Sequence, residues 1–193
     1  MQDDAGRGNR AKFLLVLAVF LAPVVASYLF YYVWPPKGAA VNYGELIEPV
    51  SLPSELTLAL PDGTPLPLRQ LRGKWLLLHA APSACDAVCA RQFDALRRVR
   101  LLQGRDQARV QVVWLLTDAG VPDPALLERL GPLRVVRDPH GDLARRLPAR
   151  HGLTGHLYVI DPLGNAMMRY DLDPDLKRMG KDLARLLKAS QIG

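Results

Sequence analysis

Residues 75–89 have the sequence WLLLHAAPSACDAVC, an apolar run followed by the only two cysteines of the chain. The run from Trp75 to Ala81 is typical of a strand that is buried on both faces of a sheet. After Pro82, apolar residues recur at three- and four-residue intervals from about residue 84 to residue 102, which predicts an amphipathic helix. The stretch therefore predicts a strand and a helix, with the cysteines at their junction.

The spacing of Cys85 and Cys89 is about one helical turn, so both sulfurs are expected on one face at the start of the helix. Two such thiols can form a disulfide, exchange with the disulfide of another protein, or bind Cu(I). The helix dipole favours the thiolate of Cys85, whereas the neighbouring carboxylate of Asp86 disfavours it. Cys89 is then the resolving partner or a second metal ligand. The alternative is a pair of structural cysteines or one permanent disulfide.

Buried strands alternate with helices through the rest of the chain. Residues 56–60 predict a short hairpin or edge strand. The later predicted elements are a strand at 110–116, a helix at 124–130, a strand at 133–136, a helical turn at 143–147, paired strands at 157–160 and 166–170, and a helix at 174–189. This order predicts an α/β fold, a three-layer sandwich around a mixed sheet. The end of the leading strand, where the cysteines lie, is a usual location for a functional site in such folds.

Residues 13–34 contain no charged residue and predict one N-terminal transmembrane helix. These 22 residues are enough to span a hydrocarbon core of ~30 Å. Arg7, Arg10 and Lys12 precede the segment, so the N-terminus is expected to stay in the cytoplasm. The alternative is a cleaved signal peptide, with the small residues VVA at 24–26 as the cleavage site.

The predicted organisation has four parts. They are a cytoplasmic N-terminus at residues 1–12, a transmembrane anchor at 13–34, a linker at 35–52 and an extracytoplasmic domain at 53–193. The net charge of +6 does not indicate a nucleic-acid partner, because basic and acidic residues are interspersed and no basic block carries interleaved aromatics. Two cysteines are also too few for a disulfide-stapled scaffold.

Three stretches of the chain resemble the Sco group of copper chaperones, within the thioredoxin-like superfamily. They are Gly73-Lys74, Cys85-x-x-x-Cys89 and the segment LYVIDPLG at residues 157–164. Sco proteins show a similar Gly-Lys, Cys-x-x-x-Cys and Tyr-Leu-Ile-Asp-Pro-x-Gly series behind an N-terminal anchor. No proline precedes Leu157, where reducing thioredoxin relatives usually carry a cis-proline, and this also favours the Sco group. The resemblance runs from about residue 56 to the C-terminus and implies a thioredoxin-like fold.

The resemblance also implies that copper is bound by Cys85 and Cys89. In Sco proteins the copper-binding histidine lies five residues before the tyrosine of the third stretch, and that position is Leu153 here. His151 and His156 lie close to it in the sequence. In an extended loop His151 shares side-chain parity with Leu153, whereas His156 has the opposite parity. His151 is therefore the candidate third copper ligand.

The remaining histidines and the methionines are interpreted as structural residues. His79, in the leading strand, is predicted to be a buried imidazole with hydrogen-bond partners. His140 lies in the segment Asp138-Pro139-His140-Gly141, which predicts a solvated turn. Met167 and Met168 are adjacent in a predicted strand, so they are expected to face opposite sides and to pack rather than to form a methionine-rich copper site.

The sequence thus predicts a Sco-like protein that crosses the cell inner membrane once and has its C-terminal domain in the periplasm. The resemblance implies a role in cytochrome c oxidase biogenesis, as a metallochaperone or thiol–disulfide exchange factor rather than a turnover enzyme. The expected partner is an oxidase subunit or another assembly factor. Thiol exchange needs no histidine, so Leu153 favours that role over copper transfer. Two alternatives stay open: a general thiol–disulfide oxidoreductase of cytochrome c maturation, and a scaffold without chemistry.

Overall fold

The computed structural model describes residues 3–32, 42–149, 152–190 and 192, with side chains from residue 12 onward. The chain divides into two compact units, Met1–Val41 and Asn42–Gly193. The first unit contains one long helix. The second contains the sheet, the remaining helices and both cysteines.

The helix of the first unit, α1 (Asp3–Tyr32), is long and apolar enough to span a membrane. Its stretch Lys12–Tyr32 has 21 residues, which at 1.5 Å per residue corresponds to about 31 Å, the thickness of a hydrocarbon core. Apolar side chains are exposed all around this stretch, Phe20 for example to 73%. The predicted anchor at 13–34 agrees with this helix up to residue 32, and its last two residues lie outside the described residues.

The described part of the second unit contains eight strands, four α-helices and three short 3-10 helices. The strands are β1 (Glu45–Ser51), β2 (Thr57–Ala59), β3 (Pro65–Pro67), β4 (Trp75–Ala81), β5 (Val110–Leu116), β6 (Arg134–Arg137), β7 (Leu157–Ile160) and β8 (Asn165–Tyr170). The α-helices are α2 (Ala87–Leu101), α3 (Pro124–Leu130), α4 (Asp142–Arg146) and α5 (Leu176–Ala189), and the 3-10 helices are Leu68–Gln70, Gly104–Arg109 and Leu153–Gly155.

All eight strands form one mixed sheet in the order β1-β8-β7-β4-β5-β6-β2-β3. Strands β4, β5 and β6 run parallel to one another, and the other neighbouring pairs are antiparallel. The leading strand β4 lies near the centre, and all seven of its residues are buried. Since a strand buried on both faces needs apolar residues at consecutive positions, this explains why its sequence does not alternate.

A core lies on each face of the sheet, so the molecule has the three layers and the thioredoxin-like α/β architecture that the sequence predicted. The first core joins the sheet to α2, α3 and α5, and includes Phe93, Cys89 and Leu183. The second core joins the opposite face to α4 and to the segment 52–71, and includes Tyr158 and Leu143.

One edge of the sheet is formed by β1, within residues that the sequence analysis placed in a linker. β1 pairs antiparallel with β8. Most of its residues are exposed, Leu46 to 59%, so its sequence lacks the apolar pattern of an inner strand. Just before β1, the backbone N–H groups of Tyr43 and Gly44 donate to the buried carboxylate of Asp182 in α5, over 2.8 and 2.9 Å.

The expectation that Met167 and Met168 face opposite sides of the sheet is wrong. Both pack against the first core. The pairing of β7 with β8 shifts register at this point: Val159 pairs with Met168 and Ile160 with Ala166, which leaves Met167 as an extra residue. Such a bulge interrupts the two-residue alternation of a strand and turns a side chain to the other face.

Candidate functional site

The loop between β4 and α2 contains Cys85 and follows the C-terminal end of this central strand. Asp118, which follows β5, accepts hydrogen bonds from the backbone N–H of Ser83 at 3.1 and 3.0 Å and from its hydroxyl at 3.0 Å. Gly120 lies so close to Ser83 that a Cβ at this glycine would overlap the serine side chain. The loop that leads to the cysteines is therefore attached to the loop that follows the neighbouring parallel strand.

Asp86 determines where α2 begins. Its side chain accepts a hydrogen bond from the backbone N–H of Cys89 at 2.9 Å. This cap satisfies one of the donors that have no partner at a helix N-terminus. The helix consequently starts at Ala87, three residues later than the periodicity predicts. Cys85 lies just before the helix, and Cys89 lies in its first turn.

Cys85 and Cys89 are joined by a disulfide, with their Cα atoms 5.3 Å apart. Cys89 is buried in the first core, with 7% of its surface exposed, whereas Cys85 is only half-buried. Of the two residues, Cys85 is therefore the one that an external thiolate can reach. Once the bond is reduced, the positive end of the helix dipole favours a thiolate at Cys85.

His79 is a buried imidazole on β4, as the sequence predicted, with 2% of its surface exposed. Its Nε2 lies 2.9 Å from Oε1 of Gln92, and its Nδ1 lies 3.4 Å from the backbone carbonyl oxygen of His156. Burial lowers the pKa of His79, and these two hydrogen bonds oppose the change only in part. The ring is therefore neutral at pH 7. Because Gln92 lies one turn beyond Cys89, the contact attaches the disulfide-bearing part of α2 to the central strand.

Leu153 stands where the sequence resemblance to Sco proteins leads us to expect a copper histidine. Its side chain packs against the second core, on the opposite face of the sheet from Cys89. His156 is also directed to that face: it is 4% exposed, and its ring centroid lies 6.1 Å from that of Tyr158. His151, the candidate third ligand, lies outside the described residues.

His140 is exposed in a turn, as the sequence predicted. Within the described residues, no three or more side chains of histidine, cysteine, aspartate or glutamate come together in a group that could hold a metal ion. What the fold brings to the candidate site is thus the pair Cys85 and Cys89. Two thiolates, once reduced, are the soft ligands that Cu(I) prefers.

The sequence analysis missed the basic side chains beside the disulfide. Arg91 and Arg97 of α2 line a groove together with Arg129 of α3. Arg91 and Arg97 are six residues apart, which corresponds to about 120° around a helix, so helical spacing alone does not place them on one face. The contribution of Arg129 depends on the packing of α3 against α2, which periodicity does not reveal.

Comparison with known proteins supports the fold. A family model described as transmembrane-like, thioredoxin-like, C-terminal domain matches residues 75–190. No curated protein sequence matches the chain.

Solved structures with the same fold include three Sco proteins. ScoI of Arabidopsis thaliana, with copper bound, has 14% sequence identity and a TM-score of 0.58, over 73% of this chain and 99% of that chain. Yeast Sco1, also with copper bound, has 17% identity and a TM-score of 0.57, over 72% and 96%. Apo Sco1 of Thermus thermophilus has 22% identity and a TM-score of 0.55, over 79% and 99%. The predicted resemblance to Sco proteins is confirmed at the level of the fold.

Proposed function

Because the chain belongs to the transmembrane-like, thioredoxin-like C-terminal domain family, we propose that it is a membrane-anchored, Sco-like factor of cytochrome c oxidase biogenesis. It handles copper, exchanges disulfides with a partner, or does both, through Cys85 and Cys89. The partner is an oxidase subunit or another assembly factor. The protein crosses the inner membrane once through residues 13–34, and its domain from residue 53 onward acts in the periplasm.

The observation that carries this proposal is the disulfide between a half-buried Cys85 and a buried Cys89 where β4 leads into α2. In this arrangement a thiolate of the partner attacks the Cys85 sulfur. The bond to Cys89 breaks, and Cys89 leaves as a thiolate that takes up a proton. A second thiolate of the partner then attacks the partner sulfur that is bonded to Cys85 in the mixed disulfide, and Cys85 leaves as a thiolate. The partner gains a disulfide and the chain becomes a dithiol; the reverse sequence keeps the partner reduced.

The reduced pair also supplies two ligands for Cu(I), here the cargo. His151 is the proposed third ligand, and Leu153 stands where the Sco pattern has its histidine. Thiol exchange requires only Cys85 and Cys89. The side chain of Leu153 in the second core therefore favours exchange over copper transfer.

A Cu(I) titration of the full-length chain in non-ionic detergent tests the copper role. The reduced protein competes anaerobically with a chromogenic Cu(I) chelator. We expect one Cu(I) per chain, lost in Cys85→Ser. His151→Ala tests the third ligand, and His140→Ala is its matched control because His140 is an exposed histidine in a turn. Equal affinity in His151→Ala and His140→Ala would exclude His151 as a ligand.

Reduction of insulin by the same preparation tests the exchange role. Slow exchange without turnover supports an assembly factor, whereas many turnovers in the presence of a reductant support a general oxidoreductase of cytochrome c maturation. A folded protein that neither binds Cu(I) nor exchanges disulfides would contradict the proposal and leave a scaffold role. Near-UV circular dichroism of each variant establishes that the fold is intact.

A further inference from the structure

A groove between α2 and α3 begins at the helical turn that carries the disulfide and has a volume of about 420 Å³. Ala87 and Ala90, which lie on either side of Cys89 in the sequence, form one end of it. Arg91 and Arg97 of α2 and Arg129 of α3 continue its walls. We call this feature the arginine groove.

The arginine groove carries an excess of positive charge. Three guanidinium groups line it, together with one carboxylate, that of Asp94. Asp94 is already engaged: Arg97 donates to it at 2.7 and 3.2 Å, and Arg98 lies 2.7 Å from its second oxygen. The hydrogen bond from Arg97 is the main cause that lowers the pKa of Asp94, so this carboxylate stays ionised at neutral pH.

Arg91 and Arg129 have no such partner. Both are exposed, and neither forms an ion pair within the part of the chain that the structure describes. Two guanidinium groups on opposite walls of one groove can each bind a carboxylate through two parallel hydrogen bonds. The groove is thus positively charged, and the guanidinium groups of Arg91 and Arg129 can donate hydrogen bonds to an anionic ligand.

We propose that the arginine groove binds an acidic segment of the exchange partner, next to the cysteine of the partner that reacts with Cys85. This inference rests on the proposed thiol exchange. A segment in the groove lies beside the first turn of α2, which begins two residues after the half-buried Cys85, so a neighbouring cysteine of that segment can reach the reactive sulfur. The attack then proceeds as described above, and the acidic segment contributes affinity and approach rate without taking part in the chemistry.

Exchange rates with three model peptides test the proposal. All three carry the same Cys-x-x-Cys dithiol, and four aspartates, four serines or four lysines flank it. The oxidised full-length chain in non-ionic detergent is mixed with each peptide at low salt, and the reaction is quenched with acid and quantified by mass spectrometry. We expect the aspartate peptide to react about tenfold faster than the serine peptide, and the lysine peptide more slowly. The preference should disappear near 0.5 M salt.

Arg91→Gln combined with Arg129→Gln should remove the preference and leave the serine peptide rate unchanged. The matched control is Arg105→Gln combined with Arg146→Gln, which removes the same charge from two exposed arginines outside the groove. A preference that survives in the groove variant, or that the control variant loses equally, overturns the proposal. So does a groove variant that slows all three peptides alike, because the arginines would then act on Cys85 itself.

A second measurement separates this inference from the proposed function. A fluorescent aspartate peptide with serine in place of both cysteines is titrated with the wild type and the groove variant, and its anisotropy is followed. Binding that depends on Arg91 and Arg129 without any exchange supports the groove and refutes the exchange function. Exchange at equal rates for all peptides, without binding, supports the function and refutes the groove. Loss of this binding in anionic lipid nanodiscs, with binding kept in zwitterionic ones, would assign the groove to lipid headgroups instead and overturn the proposal.

Discussion

Lowering the pH from 7.5 to 5 should destabilise the folded domain through His79. Burial lowers the pKa of this imidazole in the folded state, whereas in the unfolded chain it titrates near ~6.5. Below ~6.5 the unfolded state therefore binds more protons, and the free energy of unfolding falls as the pH falls, until the folded pKa is reached. The loss is about 1.4 kcal/mol for each pH unit in that interval, which gives at most about 2 kcal/mol at pH 5.

Urea unfolding of the oxidised full-length chain in non-ionic detergent measures this loss. Tryptophan fluorescence reports the unfolding transition, because Trp75 and Trp114 are buried in the first core. His79→Gln keeps a side chain that can hydrogen-bond to Gln92 but does not titrate. We expect the difference in unfolding free energy between pH 7.5 and pH 5 to shrink by up to about 2 kcal/mol in this variant. His140→Gln, which changes an exposed histidine, should keep the wild-type difference.

Equal losses of stability in the wild type and His79→Gln over this pH range, with both folded at pH 7.5, would refute the role of His79. Such a result would mean that the imidazole has similar pKa values in the folded and unfolded states. The hydrogen bonds to Gln92 and to the His156 carbonyl would then stabilise the protonated ring enough to offset its burial.

Substitutions at three further positions test the contacts that hold the site and the edge strand. Asp182→Ala leaves the half-buried N–H of Tyr43 and the buried N–H of Gly44 without their acceptor and should lower the unfolding free energy by about 2–5 kcal/mol; the loss should be smaller in Asp182→Asn, and equal losses would contradict the assigned role. Gly44→Ala forces a methyl group into the ring of a buried tyrosine of β8 and should cost about 1–3 kcal/mol in the same assay; an unchanged stability would show that this contact relaxes freely. Asp86→Ala removes the cap on Cys89 and should cost about 1 kcal/mol, whereas Asp86→Asn keeps the cap and removes a charge beside the site. Thiolate absorbance of the reduced protein should therefore show a lower cysteine pKa in Asp86→Asn than in the wild type, and a higher one would be inconsistent with the charge argument.

Much of the site was predictable because its determinants are local. The apolar run at 75–81 reports a strand buried on both faces, and the run matches β4 residue for residue. The four-residue spacing keeps Cys85 and Cys89 within reach of each other, and their Cα atoms lie 5.3 Å apart although Cys85 precedes the helix. The start of α2 was predicted less accurately, because the apolar periodicity continues through the cap residue Asp86. Only the hydrogen bond from the Cys89 N–H to Asp86 shows where the helix starts.

Non-local contacts decided the other features. The mostly exposed strand β1 has no apolar pattern of its own and is defined by its pairing with β8, far away in the sequence. The bulge that places Met167 and Met168 in one core depends on the register between β7 and β8.

The sequence by itself determined an apolar N-terminal helix, an α/β order of elements and a pair of cysteines at a strand-to-helix junction. Each of these follows from hydrophobic periodicity or from spacing within one turn, which are properties of a continuous segment. Only the tertiary structure decided that Cys89 is buried and Cys85 accessible, that Leu153 and His156 face away from the disulfide, and that Arg129 joins Arg91 in one groove. These depend on which face each strand turns to the core and on how α3 packs against α2, and a one-dimensional pattern does not encode such contacts.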